Sequence, residues 1–306
     1  MSLFDVEVPD ATVGWHNLKA AESPTESWMN AQLERLWTYH EANADQAFRA
    51  EFARQPDSRF WEMYLTAHLI RARKRLLPRT EIARCRNGDK GPDIGVRKGK
   101  RVIWIEAIAP ARGDRENLDE VPELVPSGTS QRLFRAVPRR EVELRITGAL
   151  YRKALIFRRY RADGIIGEKD SCIVAISAAQ FGPQAITNGM PYAVSAVYPF
   201  GQEQFSIDRK TMKVVGRSFT FSGEIARAAK PGEPIQRTAF QGDYFKDISG
   251  IIWSRSTIGN FSVFNHDLVY VHNQSADRPI PRGWARWREE YYPLPAANML
   301  QVRRRG

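Results

Sequence analysis

The chain has 306 residues, 42% of them hydrophobic, and a formal charge of +11 at pH 7. That length suits one large domain or two small ones, the apolar content argues against wholesale disorder, and no run of about 18 apolar residues is present to span a membrane. The acidic start MSLFDVEVPD lacks the charged-then-apolar order of a secretory leader. Cys85 and Cys172 include no CxxC pair, which excludes a cysteine-built zinc site and fits a reducing, cytoplasmic setting.

Residues 1–22 read as irregular. Ser23-Pro24-Thr25-Glu26 is a capping box with proline at the first helical position, so a helix is expected to about residue 53. Pro56-Asp57 breaks it, and Asp57 is placed to cap an amphipathic helix over about 58–75. Three short strands are expected at 80–86, 92–97 and 101–109, the last two joined by a hairpin at Arg97-Lys98-Gly99-Lys100. Residues 111–137 read as a long loop or lid, and 139–162 as a helix opened by Pro138 and closed by Gly164. SCIVAISA at 171–178 reads as a buried strand. Beyond it the chain looks mainly β, at 192–198, 204–217, 249–254 and 268–272. The expected fold class is therefore α/β (α+β), with an α-β-β-β-α-β core over 58–180, a helical extension over 1–57 and a β-rich extension over 181–306.

Glu106 is the least comfortable residue, a carboxylate inside RVIWIEAIA, which otherwise reads as a buried strand. With a type I′ turn at Lys98-Gly99, Asp93 pairs with Trp104 and becomes a diagonal neighbour of Glu106, roughly 7–8 Å away on the same face. Two such carboxylates suit Mg²⁺ or Mn²⁺, which activates water and stabilises charge on a phosphate. The alternative is that Asp93 caps a turn and Glu106 pairs with an arginine. On the 139–162 helix, Val142, Ile146, Ala149, Lys153, Phe157 and Tyr160 form one stripe. Lys153 either snorkels to the helix edge or points into the site. Glu62 lies at the margin of its helix face and is a further metal candidate.

These residues resemble the PD-(D/E)XK nuclease superfamily, with its restriction-endonuclease-like fold. Pro92-Asp93 is similar to the first half of the motif and Glu106 to the acidic residue of the second, over about residues 58–178. The resemblance implies Asp93, Glu106 and Lys153 as catalytic residues, with Glu62, Asp93 and Glu106 on the metal. The family places a lysine two residues after the acidic residue. Here Ile108 stands there, and Lys153 is similar in location to the helix lysine that some members recruit.

The basic excess is arginine-rich, with Arg73, Lys74, Arg75, Arg158 and Arg159 as candidate phosphate contacts and an aromatic–arginine tail around Trp284 and Trp287. Nucleic acid, DNA first, is the expected partner. The expected function is Mg²⁺-dependent phosphodiester hydrolysis. The alternatives are an inactive nucleic-acid-binding protein of the same fold and a scaffold for acidic protein. The five histidines show no ligand spacing beyond the distant pair His266 and His272, and GxSxG, P-loop and HExxH motifs are missing.

Overall fold

Ser23 and Glu26 bond reciprocally at the start of the first long helix, as the capping box predicts. The computed structural model describes residues 1–84, 91–113, 117–123, 137–185, 189–261, 267–294 and 299–304. Its first segment is irregular only as far as Thr12: α1 spans Val13–Ala20, capped by the Thr12 hydroxyl, with only Trp15 and Leu18 facing inward. Two apolar positions are too few to register as a period. The expected long helix is divided into α2 (Pro24–His40) and α3 (Phe48–Arg54), because Ala44 turns extended after one 3-10 turn. The helix α4 (Pro56–Arg71) starts at its proline, not at Asp57, with Gln55 in the cap position. It ends four residues earlier than expected. Arg73 adopts φ +58°, and Lys74 N–H returns to the Leu69 carbonyl at 2.9 Å, which closes the helix as a glycine in that position ordinarily does.

The expected strand at 80–86 is a helix. A two-residue strand β1 (Arg75–Leu76) comes first, and Pro78 then opens α5 (Arg79–Arg84), its carbonyl accepting from Glu81 and Ile82. The last two residues of that expected strand lie outside the described residues, as does most of the expected lid. The hairpin of β2 (Ile94–Lys98) and β3 (Arg101–Ile108) pairs Lys98 with Arg101 and Ile94 with Ile105. Its turn residues are therefore Gly99 and Lys100, two-residue as expected but one position later. Gly99 alone has positive φ (+61°), the type II′ pattern in place of the expected I′. The helix α6 (Arg139–Ala162) and the strand β4 (Ser171–Ser177) lie where the sequence places them.

The segment expected as a strand at 192–198 begins with a short buried helix, α7 (Tyr192–Ser195). Two small ribbons follow, β5 (Phe200–Ile207) with β6 (Val214–Phe221), and β7 (Glu224–Ile225) with β8 (Ile235–Gln236). The chain then supplies β9 (Gly250–Ser254), β10 (Val269–His272), β11 (Glu289–Leu294) and β12 (Met299–Arg304). These four extend the main sheet, whose order is β1-β2-β3-β4-β9-β10-β11-β12. The pairs β3–β4 and β4–β9 are parallel, and β1–β2 and the hairpin β2–β3 antiparallel. One face of the sheet, with Ile103 and Ile105, packs on α1–α4. The other, with Trp104, Val174 and Ile176, packs on Val142, Ile146, Ala149 and Phe157 of α6. No helix among the described residues is long and apolar enough to cross a membrane.

Candidate active site at the end of the central strands

The alternation of β3 sends Ile105 and Ala107 toward α4 and Trp104, Glu106 and Ile108 toward α6. Glu106 is thus held on the α6 face, only 3% exposed. Extending the β2–β3 register one step past Ile94–Ile105 sets Asp93 directly opposite Glu106, in place of the expected diagonal. The later turn shifts the pairing by two residues, and a shift of two preserves the face. Asp93 Oδ2 accepts from the Ala107 N–H at 2.8 Å, which fixes its carboxylate across the strand end.

Lys153 reaches this pair from α6, its Nζ donating to Glu106 Oε2 at 2.5 Å. The other oxygen, Oε1, is buried with no hydrogen-bond partner among the described residues. The geometry thus brings together Asp93, Glu106 and Lys153, and the snorkelling alternative for Lys153 does not hold. Ile108 is half-buried on the same strand face. Glu62, largely buried on α4, is bound by Arg59 at 2.7 Å and lies close enough to Asp93 for the two charges to interact. Sequence reading missed two cations here. Arg59 lies one turn before Glu62, a spacing that signals a pair. Arg79, which binds Asp45 at 3.1 Å and the Asp93 carbonyl at 3.5 Å, gives no such signal.

Burial, then the like charge of Asp93, push Glu106 up to about 8, against the pull of Lys153. The same two causes push Glu62 up to about 7, against Arg59 and Arg79. Burial works to lower Lys153, but the charges of Glu106 and Asp93 outweigh it and hold the ammonium above its ordinary value. A carboxyl raised on folding stabilises the fold while protonated. That contribution is complete below the unfolded value of 4.5 and disappears as pH rises through about 7 and about 8. Metal-free protein is therefore expected to lose melting temperature across this window. Asp93→Asn, which removes the shared repulsion, should flatten the loss. Thermal melts of both proteins across the window check this, and parallel curves for the two overturn it.

Among the described residues no group of three or more His, Cys, Asp or Glu side chains is gathered as a ready-made metal cage. Mg²⁺ does not ask for one. It keeps several waters and takes one or two carboxylates together with substrate phosphate. The unpartnered Oε1 of Glu106 beside Asp93 fits that demand.

The expected phosphate contacts lie elsewhere. Arg75 pairs with Arg97 at the hairpin-turn end of the sheet, and four residues, about 13 Å of strand, separate Arg97 from Asp93. Arg73 is exposed there, while Lys74 lies over the Trp284 ring at 5.4 Å. Arg158 is bound by Asp247 at 3.1 Å and packs over Tyr244, and exposed Arg159 lies beside the Tyr160 ring. None of these five touches the carboxylates. The aromatic tail is also spent internally: Trp284, Trp287, Tyr291 and Tyr292 are buried and offer no exposed face for base stacking. His272 is buried against Glu290, His68 stacks on Trp287, and His266 lies outside the described residues. A cavity of about 930 Å³ lies between α6 and the β7–β8 ribbon, and Glu62, Asp93 and Glu106 do not line it. Comparison with protein-family models, curated proteins and solved structures gives no match.

Proposed function

We propose that this chain is a Mg²⁺- or Mn²⁺-dependent nuclease, hydrolysing phosphodiester bonds in DNA in the cytoplasm on a restriction-endonuclease-like core. One observation carries the reading. A buried strand presents a carboxylate with an unpartnered oxygen, in contact with a lysine ammonium and close to a second carboxylate that accepts from the next residue's N–H. The order β1-β2-β3-β4, with β3 and β4 parallel across α6, supports the proposed core.

Asp93 and Glu106 would hold the ion, with Glu62 at the margin. A bound Mg²⁺ supplies Lewis acidity and a more acidic water. The remaining work falls to the chain. The Ala107 N–H orients Asp93, and Lys153 places positive charge where a phosphate gains negative charge. Arg59 and Arg79 limit the repulsion among the three carboxylates.

The binding-only alternative draws on the close Lys153–Glu106 pair, in which each charge already has a partner. Incubation with duplex DNA separates the two. The nuclease reading expects cleavage with Mg²⁺ or Mn²⁺ and none with EDTA. Tight binding without cleavage in either metal overturns it in favour of the inactive protein.

A further inference from the structure

The outer part of the β5–β6 ribbon is left uncovered by the described residues, while Phe200, Glu203 and Phe219 at its base are half-buried. From Gln204 to Ile207 and from Met212 to Val215 every residue is exposed, and so are Arg217 and Ser218. The apolar ones are well out of place: Phe205 is 49% exposed, Ile207 53%, Val215 67% and Met212 76%. Phe205 and Ile207, two apart on β5, share a face with Val214, which pairs with Ile207, while the register shift after Ser206 leaves Val215 outside the pairing. An isolated two-stranded ribbon is marginal in water, and its unpaired edges invite association. An outer ribbon this exposed calls for a partner.

Charge selects among partners. Glu203 is bound by Arg217 at 2.8 Å. The Asp208 carboxylate is taken up by the N–H groups of Lys210 and Thr211. Arg209, Lys210 and Lys213 are left at the turn with no ion-pair partner among the described residues. Three such cations repel the same tip of a second copy and suit a polyanion. Shape agrees. Two strands about 4.8 Å apart with their side chains match a major groove about 12 Å wide, which admits a β-ribbon.

Position agrees as well. Arg139, at the first turn of α6, donates to the carbonyl of Phe200 at the base of the ribbon. Lys153 lies fourteen residues further along the same helix, about 21 Å at 1.5 Å per residue. The ribbon's base and Lys153 are therefore tied to two points on one helix.

We propose that the β5–β6 ribbon is a nucleic-acid-binding arm. Arg209, Lys210 and Lys213 contact phosphates, and Ile207 and Val214 contact the groove's apolar edges. The proposal rests on the nucleic-acid partner of the preceding reading, not on catalysis. The test is fluorescence anisotropy of a labelled DNA duplex in EDTA over a series of salt concentrations. The triple change Arg209→Ala, Lys210→Ala, Lys213→Ala should weaken binding about tenfold or more and reduce the log–log salt slope by about 2.7, at about 0.9 for each phosphate no longer neutralised. Ile207→Ser with Val214→Ser should weaken binding with an unchanged slope. Melting temperatures matching wild type are expected for both, because the changed side chains are exposed.

A triple variant with wild-type affinity and slope overturns the arm. So does a wild-type protein that binds no duplex. Sedimentation showing that wild type dimerises and the ribbon variants do not, with unchanged DNA affinity, assigns the ribbon to a second copy and overturns it too. Wild type that binds through the ribbon but never cuts overturns the nuclease reading and leaves the arm standing.

Discussion

Glu106→Gln should abolish metal-dependent cleavage, by at least the ~10²–10³-fold that follows loss of one preorganised charged group at a reacting centre. The substitution keeps the shape and removes the charge, and Oε1 is the buried oxygen with no other partner. Folding should survive. Ionised Glu106 is disfavoured by burial and by Asp93, so a neutral amide removes a burden that the ion pair with Lys153 only partly relieves. Asp93→Asn should lose activity to a similar extent while still accepting from the Ala107 N–H. A second readout does not depend on turnover. On the proposed reading added Mg²⁺ should stabilise wild type in proportion to RT ln(1 + [Mg²⁺]/Kd), and neither variant should show the rise in melting temperature. If both variants cut DNA at the wild-type rate, or both keep the Mg²⁺-induced rise, the carboxylates are not the metal site.

Lys153→Met is the second large effect, expected to reduce turnover about 10²–10³-fold while leaving DNA and metal binding largely intact. Methionine keeps the apolar stem and deletes the ammonium. Breaking a buried pair ordinarily costs roughly 3–5 kcal/mol, because one charge is left bare. Here Glu106 escapes by taking up a proton, so the penalty should be small near pH 6 and grow as pH passes about 8. The double change Ile108→Lys with Lys153→Met tests whether the charge or its origin matters. Ile108 shares the strand face of Glu106, and a lysine there starts two residues away. Partial recovery of turnover supports the assignment. Unchanged turnover in Lys153→Met moves the weight to the binding-only reading.

The local chemistry of the site was legible because it is written in short patterns. A carboxylate inside an apolar strand, a two-residue turn and a lysine in an apolar helix stripe each need only a few residues to read. The exact register was not legible, since Lys98-Gly99 and Gly99-Lys100 are both acceptable two-residue turns. Only the packing of Gly95 against Leu77 and Trp104, where a side chain would collide, discriminates them. The strand expected at 80–86 failed because Pro78 fixes a helical start that a β-branched residue or two does not outweigh. The tail failed differently. Tryptophans among arginines suggest a stacking surface, but Trp284 and Trp287 fill the core beside Tyr270, and only the fold shows which side of a tryptophan is covered. The arginine clusters could not be placed at all, because charge has no period that reports where a surface faces.

The two halves of the site also differ in when they exist. Asp93 and the β3 strand end it faces belong to one hairpin, fourteen residues apart at the Asp93–Ala107 contact, whereas Lys153 is forty-seven residues beyond Glu106. At a synthesis rate of about 5–20 residues per second, the carboxylates leave the ribosome some 2–9 seconds before the ammonium. On the proposed reading, a chain still being made carries the metal ligands without the group that stabilises the reacting phosphate. Competence to cut then arrives only when α6 crosses over and β4 closes the sheet, so a chain that ends before α6 lacks the charge-stabilising ammonium.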